Sequence, residues 1–275
     1  GYDLQQRPSV ERKHLIVEAM RRAYRDRAVF LGDPDFVTVP SERLLHPMYA
    51  AGLRASIRAD KATPSALLPG ESDRATGTHT THFSVLDGDG NRVAATLSIN
   101  MPFGSAFVPG GSGVLLNDEM DDFSAKPGSP NAYGLVGGEA NAIAPGKRPL
   151  SSMTPTFLDS GDRVAILGTP GGSRIISMVL LGVLDFAAGN GPESWVNVKR
   201  YHHQFLPDLI QYEPGAISAD EQALLLKMGH QLKPMSRQYG NMQAVMWDRR
   251  KQAVEAASDS RGVGLATVKP ALHSQ

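Results

Sequence analysis

The chain has 275 residues, and 28 Lys and Arg balance 28 Asp and Glu, so its formal net charge is zero. With no basic stripe interleaved with aromatic residues, this balance argues against a nucleic-acid surface and supplies no global field towards an anionic membrane. The absence of cysteine excludes disulfides, thiolate catalysis and cysteine-based metal sites.

Ser9 reads as a helix N-cap, with Glu11 suited to the first turn. Leu15, Ile16, Ala19, Met20, Ala23 and Tyr24 then recur at the spacing of an amphipathic helix, which Gly32 and Pro34 stop. A polar, proline-punctuated stretch follows, with a short helix expected around His46 to Arg58. Residues 60–79 show no hydrophobic period and read as a linker, rich in Gly, Thr, Asp and Ser from Pro69 to His79. At Thr80 the period switches to two. A strand over Thr81–Leu86, the turn Asp87-Gly88-Asp89-Gly90-Asn91, and a strand carrying Val93, Ala95, Leu97 and Ile99 form a hairpin signal. Residues 124–147, rich in Gly, Pro, Asn and Ala, read as a long ordered loop.

Farther on, Arg163–Leu167 reads as a short strand and Ser173–Ala188 as a mostly apolar helix buried between layers. The apolar run from Ile175 to Ala188 is interrupted and shorter than the ~20 residues of a membrane span. Ser218-Ala219-Asp220-Glu221 is a capping box opening a helix that ends at Gly229, and Gln243–Trp247 and Gly264–Val268 read as closing strands. Strands, then helices, then strands indicate sheets packed with helices, an α+β class, without internal repeats.

Several residues could carry chemistry. A Thr at a strand start after a linker gains a free α-amine if the His79–Thr80 bond is cut, and that amine can activate its own hydroxyl; β-propensity alone would also place a Thr there. The acidic run Asn117–Asp122 reads as a solvated loop or a substrate site, since it lacks the Gly and Glu spacing of a calcium-binding EF-hand loop. Ser151 and Ser152 can donate to a carboxylate or serve as turn residues. Gly168-Thr169-Pro170-Gly171-Gly172-Ser173 lacks the Gly-Lys-Ser/Thr ending of a phosphate loop, but successive glycines before a helix let backbone N–H groups converge on an anion. The adjacent His202 and His203 point apart and read as structural.

Taken in order, these segments resemble a known family: Glu18-Ala19-Met20 through Asp26-Arg27-Ala28, Leu31-Gly32-Asp33-Pro34-Asp35-Phe36, Thr80-Thr81-His82-Phe83-Ser84, Asn100-Met101-Pro102-Phe103-Gly104, Gly111 to Ser124, Lys147 to Thr156, Gly168 to Arg174, Phe205-Leu206-Pro207-Asp208 and Ala257 to Gly262. The resemblance is to the γ-glutamyltranspeptidases, N-terminal-nucleophile hydrolases, and covers nearly the whole chain. It implies a four-layer αββα sandwich and autoproteolysis at His79–Thr80. Residues 1–79 would be the C-terminal part of a large subunit whose front is missing here, and residues 80–275 the small subunit of a heterodimer from one precursor.

Thr80 is the implied nucleophile, and Ser98, where the family usually has Thr, the hydroxyl that hydrogen-bonds it. Gly171 and Gly172 become the oxyanion hole. Asn100, Glu119 and Asp122 surround the substrate α-amino group, Ser151 and Ser152 the α-carboxylate, and Tyr133 belongs to a lid. An α-carboxylate-binding Arg would lie upstream of this chain, and the apolar faces that upstream segments cover should be exposed. The implied substrates are glutathione and other γ-glutamyl amides, with an amino acid, a peptide or water as acceptor and no metal or organic cofactor. The alternatives are a cephalosporin or glutaryl acylase of the same superfamily and a truncated, non-catalytic relative. The compartment implied is periplasmic or secreted.

Overall fold

The computed structural model describes residues 2–68 and 80–270; the linker's Gly/Thr/Asp/Ser-rich part, Pro69 to His79, lies outside the described residues. In chain order the elements are helices α1 (Ser9–Phe30), α2 (Ser41–Leu45) and α3 (Pro47–Ala55), strands β1 (Thr80–Leu86), β2 (Arg92–Ser98), β3 (Thr156–Asp159) and β4 (Arg163–Gly168), and helices α4 (Ile175–Ala187) and α5 (Pro192–Asn197). Then follow β5 (Tyr201–His202), β6 (Ile210–Tyr212), α6 (Ala219–Lys227), β7 (Leu232–Pro234), β8 (Gln243–Asp248) and β9 (Ala253–Ser258). This is the α+β composition expected. The chain forms two compact units, each assembled from several separate segments.

The first unit takes the described residues of 1–77 with Asp118–Ser151 and Tyr201–Arg237. Its organiser is α1, which buries Leu15, Ile16, Val17, Met20 and Tyr24 and, less usually, Glu18, Arg21 and Arg22. Burying a carboxylate is costly unless it is paired and hydrogen-bonded. Glu18 accepts from Arg21 Nε at 3.2 Å, Arg22 at 2.7 Å and the Thr63 backbone N–H at 3.0 Å. Burial pushes its pKa up, but the bonds from Thr63 and Arg22 prevail and hold it below the ordinary value. Arg21 continues to Ser65 at 2.6 Å and to Asp208. One helix thus holds the segments around residues 63–65 and 205–208.

Helix α6 carries the expected capping box, and Lys13 joins its Glu221 to α1 at 2.5 Å. One expectation at the helix starts is corrected. The N-cap of α1 is Pro8, whose extended backbone leads into the helix, and Ser9 is the first helical residue; its hydroxyl accepts from Lys13 at 3.1 Å instead. The short helix α3 begins at Pro47, capped by the His46 ring, and is preceded by the unanticipated turn of α2. The expected long loop lies across the end of α1, where the Gly138 N–H donates to Ala28 O at 3.0 Å and Arg148 pairs with Asp33 at 2.5 Å. Strands β5, β6 and β7 form a small sheet that the sequence did not announce.

The second unit takes 78–117, in its described part, with Ser152–Arg200 and the described residues from Gln238 onward. Its sheet has the order β3-β4-β8-β9, antiparallel throughout. Val164 to Leu167 on β4 are all buried, as a strand covered on both faces requires. Leu167 packs against Gly182 of α4, while the next residue, Gly168, faces the His82 ring of β1. Successive side chains point to opposite faces, so α4 covers one face of β4 and the β1–β2 hairpin the other.

The hairpin inverts the usual pattern. Thr80, His82 and Ser84 turn inward, and Phe83, Val85, Val93 and Leu97 remain 46–53% exposed. The hairpin therefore leaves an apolar face uncovered. The closing strand expected at Gly264–Val268 is absent: those residues are irregular and mostly exposed, and the edge strand is β9, whose Ala-rich sequence carries little β-propensity.

The terminal Ser258-Asp259-Ser260-Arg261 motif is tied down by a buried ion pair. Arg200 and Asp259, both fully buried, meet at 2.5 Å, and Asp259 also accepts from the Met242 N–H at 3.0 Å and Arg261 at 3.1 Å. Removing one partner of such a pair leaves an uncompensated charge. Asp259→Ala is therefore expected to cost about 3–5 kcal/mol, read as a lowered urea midpoint with little change in slope.

Candidate active site

Thr80 opens β1 and Ser98 closes β2, and the antiparallel register makes them direct partners. Thr80 Oγ1 donates to Ser98 Oγ at 3.1 Å, and Ser98 Oγ accepts from the Asn100 N–H at 2.9 Å. Asn100 is buried with φ of 67°, a left-handed conformation that Asn tolerates better than most residues. One hydrogen-bonded run therefore joins Thr80, Ser98 and Asn100.

Two residues along β1, on the same face, His82 accepts or donates at both ring nitrogens: Thr96 Oγ1 lies at 2.7 Å and Ser84 Oγ at 3.0 Å. Burial pulls its pKa down to about 4, so the ring is neutral near pH 7. A Cβ on Gly168 would collide with this ring. The segment leaving β4 at Gly168 carries Gly171 and Gly172, with φ of 145° and 56°, immediately before the helical turn that leads into α4. Those angles favour glycine, and a Cβ on Gly171 would also strike Met178. Thr169, fully buried, anchors the loop by accepting from the Asn241 N–H at 3.2 Å. Ser152, in the same unit, is buried, and its carbonyl accepts from Thr154 Oγ1 at 2.9 Å.

Glu119, Asp122, Tyr133 and Ser151 belong to the other unit. Glu119 and Asp122 bracket one short helical turn. Burial raises the Asp122 pKa to about 7, and the charge of Glu119 and a hydrogen bond with it push the same way, against Arg27. This is how two carboxyls that cannot both ionise at low cost behave. Tyr133 is buried, and its hydroxyl is pushed upward by burial and then by the Asp122 and Glu119 charges. Its backbone is fixed on both sides, donating to Asn131 Oδ1 at 2.9 Å and accepting from Gln204 at 3.1 Å, so its surroundings are those of a loop anchor. Ser151 is exposed.

Among the described residues, His14, Glu18 and His230 are close enough to share a metal ion. The fit is poor, because both Glu18 oxygens already serve Arg21, Arg22 and Thr63, and two guanidinium charges repel a cation. His14 and His230 instead bond to each other at 2.8 Å. His202 and His203 bond separately, to Gln204 at 2.8 Å and Asp208 at 3.2 Å, as structural residues. The sequence reading gave no role to His82, Gly168 or Arg27; the strand parity that His82 shares with Thr80, and a glycine ending a buried strand, were the available signals.

A family model described as gamma-glutamyltranspeptidase matches residues 1–268. The chain belongs to the γ-glutamyltranspeptidase family. It is 47% identical over 266 residues to the glutathione hydrolase proenzyme of Pseudomonas aeruginosa, covering 94% of this chain and 46% of that one. It is thus similar to less than half of that relative's length. A crystal structure of the Helicobacter pylori γ-glutamyltranspeptidase T380A mutant superposes with a TM-score of 0.63 and 42% identity, covering 66% of this chain and 100% of that chain. Cephalosporin acylase from Bacillus halodurans gives a TM-score of 0.78 over 95% of this chain and 45% of that one; at 24% identity this likeness concerns the fold alone. The fold is the α+β fold of the N-terminal-nucleophile hydrolases, for which the resemblance implied αββα layering.

The His82–Gly168 contact yields a test within the second unit. Gly168→Ala is expected to destabilise by about 1–3 kcal/mol, the range for overpacking, and His82→Ala in the same chain should recover part of it. Additive losses in the double-mutant cycle would mean the two residues do not meet.

Proposed function

We propose that the complete protein is a γ-glutamyl hydrolase/transferase, matured by cleavage at His79–Thr80 into large and small subunits, with Thr80 as nucleophile. The observation that carries this reading is the Thr80 hydroxyl at the start of β1, bonded at 3.1 Å to Ser98 Oγ, which in turn takes the Asn100 N–H. Thr80 Oγ1 first attacks the His79 carbonyl; the C–N bond breaks as the peptide becomes an ester, which frees the Thr80 amine, and water then hydrolyses the ester to give the His79 carboxylate and return the Thr80 hydroxyl. In turnover, that amine takes the hydroxyl proton as Oγ1 attacks the γ-carbonyl of glutathione or another γ-glutamyl amide. The proton passes to the departing amine, leaving a γ-glutamyl ester on Thr80. Water, or the amine of an acceptor amino acid or peptide, attacks the ester and returns the proton to Oγ1.

The Gly171 and Gly172 N–H groups, at the start of a helix, are assigned to the oxyanion, a role in which one donor is typically worth about 2.7–4 kcal/mol of barrier. Asn100, Glu119 and Asp122 are assigned to the α-ammonium, where carboxylates offset the cost of desolvating a cation. Ser151 and Ser152 are assigned to the α-carboxylate and Tyr133 to the wall of the γ-glutamyl pocket. Hydroxyl and amine supply nucleophile and base, so the steps need neither metal nor organic cofactor. The proposed compartment, from the family, is the periplasm or the exterior of the cell.

The acylase alternative needs no α-ammonium site, and the paired carboxyls of Glu119 and Asp122 favour the γ-glutamyl reading. The complete protein is expected to hydrolyse a γ-glutamyl anilide far faster than the glutaryl anilide, which lacks only the amino group; the reverse preference would assign it to the acylases. Thr80→Ala is expected to abolish both cleavage and turnover, seen as a single uncut species by intact mass, and efficient self-cleavage of that variant would remove Thr80 from the mechanism.

A further inference from the structure

The last turn of α1 carries a cation that the proposed chemistry does not use. Arg27 and Asp122 line one small cavity, together with Ser124, Asn131 and Asn141. Its volume is about 10 Å³, at the lower limit for a single water, so no substrate enters it and, on this side, Arg27 acts on a substrate only through Asp122; Arg27 also borders a separate, larger pocket lined by Leu44, Tyr49 and Leu53, which Asp122 does not line. The backbone fixes both sides of this cavity. The Gly138 N–H donates to Ala28 O at 3.0 Å, holding the loop on the turn that carries Arg27. Asn141 Nδ2 donates to Asp122 O at 2.7 Å, and the Ser124 N–H to Asn141 O at 2.9 Å, holding the carboxyl-bearing turn to the same loop. A cation in the last turn of a helix is also favoured by the helix dipole.

We propose that Arg27 is a positioning residue for the substrate-amine site, its guanidinium serving as the counter-ion that holds the Asp122 carboxylate across the shared cavity. This rests on the assignment of Glu119 and Asp122 to the substrate α-ammonium. The groups acting on Asp122 are Glu119 and Asp121 from its own turn, both negative, and Arg27 from α1, positive. Asp121 is partly occupied, accepting the Ala132 N–H at 3.1 and 3.0 Å. Tyr133, from the loop, feels the same carboxyls and is neutral at physiological pH. The influence is reciprocal: burial weakens the basicity of Arg27, and the charges of Tyr24 and Asp122 restore part of it.

The function follows from what an ammonium needs. A protonated Asp122 offers a neutral hydroxyl where the substrate presents a positive charge. With Asp122 near 7, its ionised fraction rises with pH through neutrality, and donor affinity should rise with it. Without Arg27 the carboxyl keeps its proton to higher pH, so the acid limb of kcat/KM moves in the alkaline direction. A shift of one unit corresponds to about tenfold in the ionised fraction below the pKa.

The test uses the complete protein and compares wild type, Arg27→Gln and Arg27→Lys on γ-glutamyl and glutaryl anilides from about pH 5.5 to 9. Arg27→Gln is expected to raise the KM for the γ-glutamyl anilide about fivefold near pH 7 and about tenfold at pH 5.5–6, to approach the wild-type KM above pH 8.5, and to leave kcat nearly unchanged. Hydrolysis of the glutaryl anilide, which carries no amine, should change little, and Lys should restore most of the γ-glutamyl profile. An unshifted acid limb in folded Arg27→Gln, or a loss equal at every pH and on both substrates, would overturn the proposal. Should Gln prevent folding, Met, similar in length and uncharged, takes its place under the same criteria. Absence of γ-glutamyl turnover in the wild type is a separate outcome: it would remove the amine site on which the proposal rests, through the failure of the proposed function itself.

Discussion

Side chains alternate across a β-strand, so the register of the β1–β2 hairpin decides which face the Thr80 and Ser98 hydroxyls occupy. Pairing Thr80 with Ser98 sets Thr80, His82, Ser84, Thr96 and Ser98 on one face. A slip of one residue would turn all of one strand's groups to the other side. Two features hold the register. In the turn, the Asp87 carboxylate accepts the Asp89 and Asn91 N–H groups at 3.0 and 2.8 Å and the Asn91 side chain at 2.8 Å. Across the layer, the His82 ring occupies the space that Gly168 leaves open on β4. Since Gly168 also begins the segment carrying Gly171 and Gly172, the packing that orients the hydroxyls also fixes the start of the glycine loop.

The first unit solves a different problem, that of charge inside a packed core. Glu18 is surrounded by two guanidinium groups and a backbone N–H, so it stays ionised despite burial. Asp122 lies beside Glu119 with less compensation, and its pKa is raised to about 7. The contrast is one of counter-charge rather than burial alone: two arginines within bonding distance in one case, a single guanidinium acting across a cavity in the other.

Much of this was legible in the sequence. The capping box at Ser218–Glu221, the apolar α4, the helix α1 and the hairpin at Thr80 each carry a local signal with a physical cause, and the ordered motifs carried the family. What escaped depends on partners far along the chain. The short sheet of β5, β6 and β7 consists of two- and three-residue strands, too short for any period to show. The edge strand β9 is half alanine, whereas Gly264–Val268, with Leu265 and Val268, looked more like a strand, and both of those side chains lie exposed. The hairpin's alternation was readable but its orientation was not, because here the polar face is the buried one. Arg27 stood out only as part of the motif Asp26-Arg27-Ala28, and only the fold brings Asp122 to its cavity.

The way the first unit is woven has a consequence for the proposed maturation. Its core draws on residues before the linker and on Asp118–Ser151 and Tyr201–Arg237, which follow Thr80. Scission before Thr80 would therefore produce two polypeptides that share a single hydrophobic interior, with Arg21 of one bound to Asp208 of the other. Such chains cannot part as docked bodies do; separation requires melting the unit. The piece beginning at Thr80 keeps the second unit to itself, but the core of the first unit belongs to both pieces, so mixing of subunits between molecules should be negligible under native conditions. Folding must come first and the cut second, and the cut is then mechanically silent: it exposes an amine while the architecture around it continues to behave as one chain.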